Sequence, residues 1–353
     1  MGFENRVELY KAIEHERRKP LITYFTSRRQ SSGGILSMDV IPEFCEHIRQ
    51  IPKEEKEIDI LISSQGGDPI AAWRIINLLR ERFDKISVLI PYDAHSAATV
   101  LALGADEIIM HPFSCLGPID VQINIGPVGP IGQNKQFSTE DISSFIDFLH
   151  EDLEQKDNAM GASSLFKELK PTEVGVVKKS MNFIKTIATK LLKTHMDNDE
   201  DIDNIVSKFT NSFHHGYTIG RKEAKDLGLP VSETSNEIEE YMWKIWEDAD
   251  LEMKCRIPFD PFRIIMDNSE LMERINSIPQ IPIAPILGPA AMQVPVPKIE
   301  TATDETIVAM VESINVRSSF KTKAIISALR KDDLSIACNV TIVSSGWETE
   351  NIR

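Results

Sequence analysis

One serine stands where a nucleophile would be useful. The run Ile86-Ser87-Val88-Leu89-Ile90 suits a buried strand, and the small-residue stretch Ser96-Ala97-Ala98-Thr99-Val100-Leu101-Ala102-Leu103 reads as a buried helix. Ser96 lies at the mouth of that helix, where unpaired N–H groups and partial positive charge favour a developing oxyanion. A serine before a helix is ordinarily an N-cap, so the chemistry depends on what else converges there. Ser63-Ser64-Gln65-Gly66-Gly67-Asp68-Pro69 is a second strand-to-helix turn, and its paired glycines let backbone approach a ligand closely. Backbone N–H groups at Gly66 or Gly67, together with that of Ala97, can form an oxyanion hole for acyl transfer. The phosphate-loop and dinucleotide patterns of glycines are absent.

The elements that must hold these turns alternate. A charged helix over 6–19, a strand over 20–26, a helix from Ser37 or Asp39 to Ile51, and a strand over 58–63 come first. A helix over 70–83, the strand at 86–90, the helix after Ser96 and a strand over 107–110 follow. This is the order of an α/β domain with its ligand crevice at the strand ends. Helical patterns dominate from 138 to 209 with a break near Pro171, and 235–249 reads as a further helix. Asp68 is placed to cap the helix at 70, and His111 has no motif partner.

Three stretches of character appear: 1–250 as the main α/β unit, 251–300 as a Pro-rich connector, and 301–353 as a small C-terminal α/β appendage. The appendage is expected to hold helices over 303–314 and 322–331 and a strand over 334–344.

Composition narrows the class. The 353 residues carry a formal net charge of -15, which disfavours nucleic acid and anionic membrane surfaces as partners. The four cysteines form no Cys-x-x-Cys pair, and no His-Glu-x-x-His spacing occurs, so neither metal nor disulfide framework is expected. A charged N-terminus without an apolar core, and no apolar run of membrane-spanning length, set a cytoplasmic expectation.

Several motifs taken together resemble a known family. Gly66-Gly67-Asp68-Pro69, Ser96-Ala97-Ala98-Thr99, Leu103-Gly104-Ala105-Asp106-Glu107-Ile108, Leu116-Gly117-Pro118-Ile119-Asp120 and Glu223-Ala224-Lys225-Asp226-Leu227-Gly228-Leu229 look like the serine dehydrogenase proteinase family. These are relatives of signal peptide peptidase A and the Clp protease within the crotonase-like superfamily. The resemblance covers about residues 15–250. It implies a Clp/crotonase-like spiral of ββα units with a helical extension, a serine peptidase without cofactor, and a ring-like homo-oligomer acting on peptides or proteins. It also implies Ser96 as nucleophile, with the oxyanion held near Gly66, Gly67 and Ala97.

The base is left open by the resemblance. Asp120 falls close to where Clp proteases carry histidine, and His215, upstream of Glu223, close to where they carry aspartate. A traded triad of Ser96, His215 as base and Asp120 as its orienting partner is therefore permitted. Lys135, after the Gly/Pro loop, is the rival base of a signal-peptidase-like dyad. His214 competes with His215, and His95 is read as lining the site. The loop 124–134 is expected to pair with extended substrate. Two alternatives stand beside the peptidase: a non-catalytic peptide-binding or assembly scaffold, and a crotonase-like enzyme on acyl thioesters.

Overall fold

Short, near-continuous apolar runs build the centre of the molecule. A computed structural model describes residues 2–119, 122–125, 135–138, 144–145, 148–149, 163, 170–212, 216–277, 280–283, 292–295, 299–331 and 335–351. Helix α1 (Phe3–Arg17) precedes β1 (Leu21–Thr26); α2 (Ile41–Gln50) leads to β2 (Glu57–Ser63). Next come α3 (Pro69–Arg80), β3 (Lys85–Ile90), the short β4 (Asp93–Ala94), α4 (Ala97–Ala102) and β5 (Glu107–Met110). Then follow β6 (Cys115–Leu116), β7 (Gln122–Ile125), β8 (Lys135–Ser138), a helix Pro171–Leu192, a helix Asp199–Ser207, β9 (Ile219–Gly220) and β10 (Val231–Ser232). A helix Asn236–Glu252, the hairpin β11 (Gln280–Ile283) and β12 (Met292–Pro295), and the long strands β13 (Glu300–Glu312), β14 (Val316–Arg330) and β15 (Ile336–Asn351) complete the chain.

The main sheet has the order β10-β5-β3-β2-β1-β13-β14-β15. Strands β10, β5, β3, β2 and β1 run parallel; β13 joins β1 antiparallel, and β14 and β15 continue antiparallel. Successive strand residues point to opposite faces. Ile22, Tyr24, Ile60, Ile62, Val88 and Ile90 pack against α2, α3, α4 and helix Pro171–Leu192. Leu21, Phe25, Leu61, Leu89 and Ile109 pack against α1 and helix Asn236–Glu252. Both faces of the parallel strands are thus covered, as their near-continuous apolar composition requires.

The C-terminal segment departs from expectation. The helices expected over 303–314 and 322–331 are strands β13 and β14. Thr, Val and Ile recur in both, and β13 can complete an edge that β1 would otherwise expose. Burial of Met310 on one face and Val311 on the other fixes the register. The strand at the C-terminus is present but runs to Asn351. Among the described residues no helix is long and apolar enough to cross a membrane.

Candidate active site

Two turns at the carboxyl ends of β2 and β3 are clipped together by backbone. Ser64 bridges Ala94, with the Ser64 N–H donating to Asp93 O at 3.0 Å and the His95 N–H donating to Ser64 O at 3.0 Å. The Ser63 hydroxyl and the Gln65 amide both donate to the buried Asp93 carboxylate. Asp68 caps α3 by accepting from the Ile70 N–H at 2.8 Å, and Pro69 takes the first helical position, where its missing N–H is harmless.

Glycine is required in both places of the pair. Gly66 has φ +99°, and a β-carbon there would lie 2.6 Å from His95 O, 2.8 Å from Ser96 Cβ and 3.0 Å from Ala97 N. Gly67 has φ +149°, and its β-carbon would lie 2.2 Å from Leu36 O. The two glycines differ in their amides. The Gly66 N–H donates to Ser64 Oγ at 3.1 Å. On the next residue the direction reverses: Leu36 N–H donates to Gly66 O at 2.8 Å and Asp68 N–H to Leu36 O at 2.7 Å. In an extended segment, groups of the intervening residue face the opposite edge. The Gly67 N–H therefore points away from Leu36, and it donates to no described residue.

Ser96 sits in backbone that an L-residue rarely adopts, with φ 50° and ψ -115°. Its hydroxyl makes no capping bond, so it occupies the cap position without doing a cap's work. The first turn of α4 closes instead through Ala98 N–H to His95 O at 2.9 Å and Val100 N–H to Ser96 O at 3.0 Å. The Ala97 N–H donates to no described residue. A strained strand-to-helix turn of this kind is one backbone that can present a hydroxyl as a nucleophile elbow does.

The surroundings rigidify this turn. The buried Thr99 hydroxyl lies 2.6 Å from Ala94 O and 2.8 Å from Gly117 O, and accepts from the Gly117 N–H at 3.2 Å. His95 packs its ring on Gly117, where a β-carbon would come within 3.1 Å of it, and Nε2 lies 3.3 Å from Cys115 Sγ. Burial pushes the Cys115 thiol up to about 11, with the charge of Asp93 adding, which keeps it a neutral thiol near pH 7. His111 stacks on Trp243 at 5.0 Å and accepts from the Phe113 N–H at 3.1 Å, a packing role.

Asp120, His214 and His215 lie outside the described residues, and so does most of the 124–134 loop. Lys135 opens β8 opposite Ile125, and its side chain is likewise outside the description. Their described flanks are joined. The Ile119 N–H donates to Phe209 O at 2.9 Å, and β6 pairs with β9 through Cys115 with Gly220 and Leu116 with Ile219. The same β6 pairs with β4, two residues before Ser96.

Sequence reading missed Ser64, Thr26 and Leu36. Thr26 Oγ1 donates to Ser64 Oγ at 2.7 Å, which in turn accepts from Gly66. Polar residues at the ends of apolar strands were the available signal for the first two. Leu36 lies in a loop by local pattern, and nothing local marks its pairing with Gly67.

Two uncharacterized proteins of Methanocaldococcus jannaschii are similar to this chain. One is 25% identical over 275 residues, covering 74% of this chain and 85% of its own length. The other is 29% identical over 191 residues, covering 54% of this chain and 56% of its own length. Among solved structures, a serine-to-alanine mutant of the 1510-N membrane-bound stomatin-specific protease superposes with a TM-score of 0.38 at 16% identity, over 59% of this chain and 80% of that one. ClpP1 from Listeria monocytogenes superposes with a TM-score of 0.33 at 13% identity, over 67% of this chain and 98% of that one. Residues 3–270 match the model of the ClpP-like SDH-type serine proteinases, and the chain belongs to that family.

Proposed function

We propose that this chain hydrolyses peptide bonds with Ser96 as the nucleophile. The strained backbone of Ser96 beside the free amides of Gly67 and Ala97 is the observation that carries the reading. Ser96 Oγ attacks the peptide carbonyl carbon and gives up its proton to a base. The carbonyl oxygen becomes an oxyanion held by the N–H groups of Gly67 and Ala97. Collapse expels the amine, which takes the proton, and leaves an acyl-serine that water then hydrolyses. Gly66 serves by close approach, since its own amide already donates to Ser64.

Two bases are proposed, each on its own observation. For His215 with Asp120, both flanks of 213–215 are hydrogen-bonded to the 115–119 segment that leads to Asp120. For Lys135, the hairpin that carries it begins three residues after Ile119. The homo-oligomer and the cytoplasmic location stay part of this proposal.

A fluorophosphonate probe and casein hydrolysis test the reading. Ser96→Ala is expected to abolish both, and labelling that persists on this variant overturns the assignment. His215→Ala, Asp120→Asn and Lys135→Ala then separate the bases: loss with the first two and retention with the third selects the triad, and the reverse selects the dyad.

A further inference from the structure

A cleft of mixed polar and apolar lining lies at the opposite end of the sheet from Ser96. It is a half-open cleft of about 530 Å³ at the amino ends of β1 and β2, and Glu14, Arg18, His47, Glu55, Ser313 and Asn315 are among its lining residues. The register Leu21 with Asp59 and Phe25 with Ser63 puts Pro20 and Leu21 at one end of the strands and the Ser64–Gly67 turn at the other. At about 3.3 Å per residue, β1 alone separates the two ends by roughly 15 Å.

Three charges in this cavity have no ion-pair partner among the described residues: Arg18, which is exposed, and the half-buried Glu14 and Glu55, of which Glu14 accepts from the Leu21 N–H at 2.8 Å. Lys19, by contrast, is held by Glu57 at 3.0 Å and Ser87 at 3.2 Å. Both signs therefore face one cavity without neutralising each other. Arg18 also holds a left-handed backbone, φ 57° and ψ 37°, at the C-terminus of α1, a position where glycine is the ordinary residue. The floor is neutral and polar: the buried His47 has Nδ1 2.9 Å from Ser313 Oγ and Nε2 3.3 Å from Ser318 Oγ. Leu21, Ile51 and Ile314 supply apolar wall.

We infer that this cavity binds a short peptide or amino acid with free termini, its carboxylate on Arg18 and its ammonium on Glu14 and Glu55. A zwitterion meets both signs at once, whereas an anion meets only the guanidinium and a cation only the carboxylates. The Arg18 guanidinium matches a carboxylate in fork geometry, and the volume is in the range of small-ligand pockets. The site stands apart from Ser96 and does not rest on its catalytic role.

Calorimetric titration of the Ser96→Ala protein with alanyl-leucine tests the inference, alongside the N-acetylated and C-amidated forms of the same dipeptide. The free dipeptide is expected to bind, and each blocked form to bind at least tenfold more weakly. Arg18→Gly removes the guanidinium and relieves the left-handed backbone, so it is expected to melt at the same or a higher temperature yet lose at least tenfold in affinity. Glu55→Gln is expected to weaken the free dipeptide while leaving the N-acetylated form unchanged. No binding at millimolar dipeptide, equal binding of the blocked forms, or undiminished binding by Arg18→Gly overturns the assignment.

Discussion

Gly66 lies close against Ser96 because it has no side chain: a β-carbon on Gly66 would stand 2.8 Å from the β-carbon of Ser96. Residues thirty positions apart thereby set the height of the serine above the Gly67 amide. No flexible side-chain end is involved, so neither partner can give way without moving the turn.

Gly66→Ala is accordingly expected to disable the site before it unfolds the protein. The substitution meets His95 O and Ala97 N as well, and φ +99° disfavours alanine on its own. A loss of about 1–3 kcal/mol in stability is expected, with probe labelling reduced at least tenfold. Denaturant melts and labelling rates check both, and wild-type labelling by a folded Gly66→Ala protein contradicts the geometry.

The strain at Ser96 makes an opposite prediction for stability. Glycine adopts φ 50° and ψ -115° without penalty, so Ser96→Gly is expected to be about 1 kcal/mol more stable than Ser96→Ala while equally inactive. Equal urea midpoints for the two variants are the contrary result.

Thr99→Val removes a buried hydroxyl that serves Ala94 O, Gly117 O and the Gly117 N–H while keeping the shape. The buried backbone groups lose that partner, and about 1–3 kcal/mol of destabilisation is expected. Labelling is expected to slow as well, since α4 is tied to the Leu116–Gly117 segment by this residue. A neutral effect on both counts against that coupling.

His47 gives stability a pH dependence of known sign. Burial lowers its folded pKa to about 4, below the ordinary value of 6.5. Between those values the unfolded chain binds the proton and the folded one does not, so this contribution is complete above about 6.5 and falls as pH drops toward 4. The slope is about 1.4 kcal/mol per pH unit across the window. Urea midpoints from pH 7 to pH 4 are expected to fall more steeply for the wild type than for His47→Gln, and identical slopes contradict the assignment.

Arg6 anchors α1 to the C-terminal strands. Fully buried, it donates to Glu312 at 2.9 and 2.7 Å, to Asp248 at 2.6 Å and to Glu252 at 2.6 Å, while Tyr10 donates to Glu312 at 2.6 Å. Arg6→Met leaves the buried Glu312 with Arg317 and Tyr10 alone, and about 3–5 kcal/mol of destabilisation is expected. Glu312→Gln placed on top of Arg6→Met is expected to recover part of it, and a double mutant no more stable than the single contradicts the buried-charge reading.

Much of this molecule was legible in the order of its residues. Short, near-continuous apolar runs marked β1, β2, β3 and β5, because burial on both faces demands them. Paired glycines and a serine before a small-residue helix marked the two turns, because few residue types tolerate those backbones. The sequence by itself thus determined the α/β core and nominated Ser96, Gly66, Gly67 and Ala97. Only the tertiary structure decided which glycine amide is free, since that depends on Leu36 pairing with Gly66 and Asp68 from a loop thirty residues earlier. It alone decided that 300–330 is strand, because β13 is stabilised by β1, nearly three hundred residues away in sequence. Pairing between such distant segments leaves no local period to read, and the same holds for the charges that Arg18, Glu14 and Glu55 bring to one cleft.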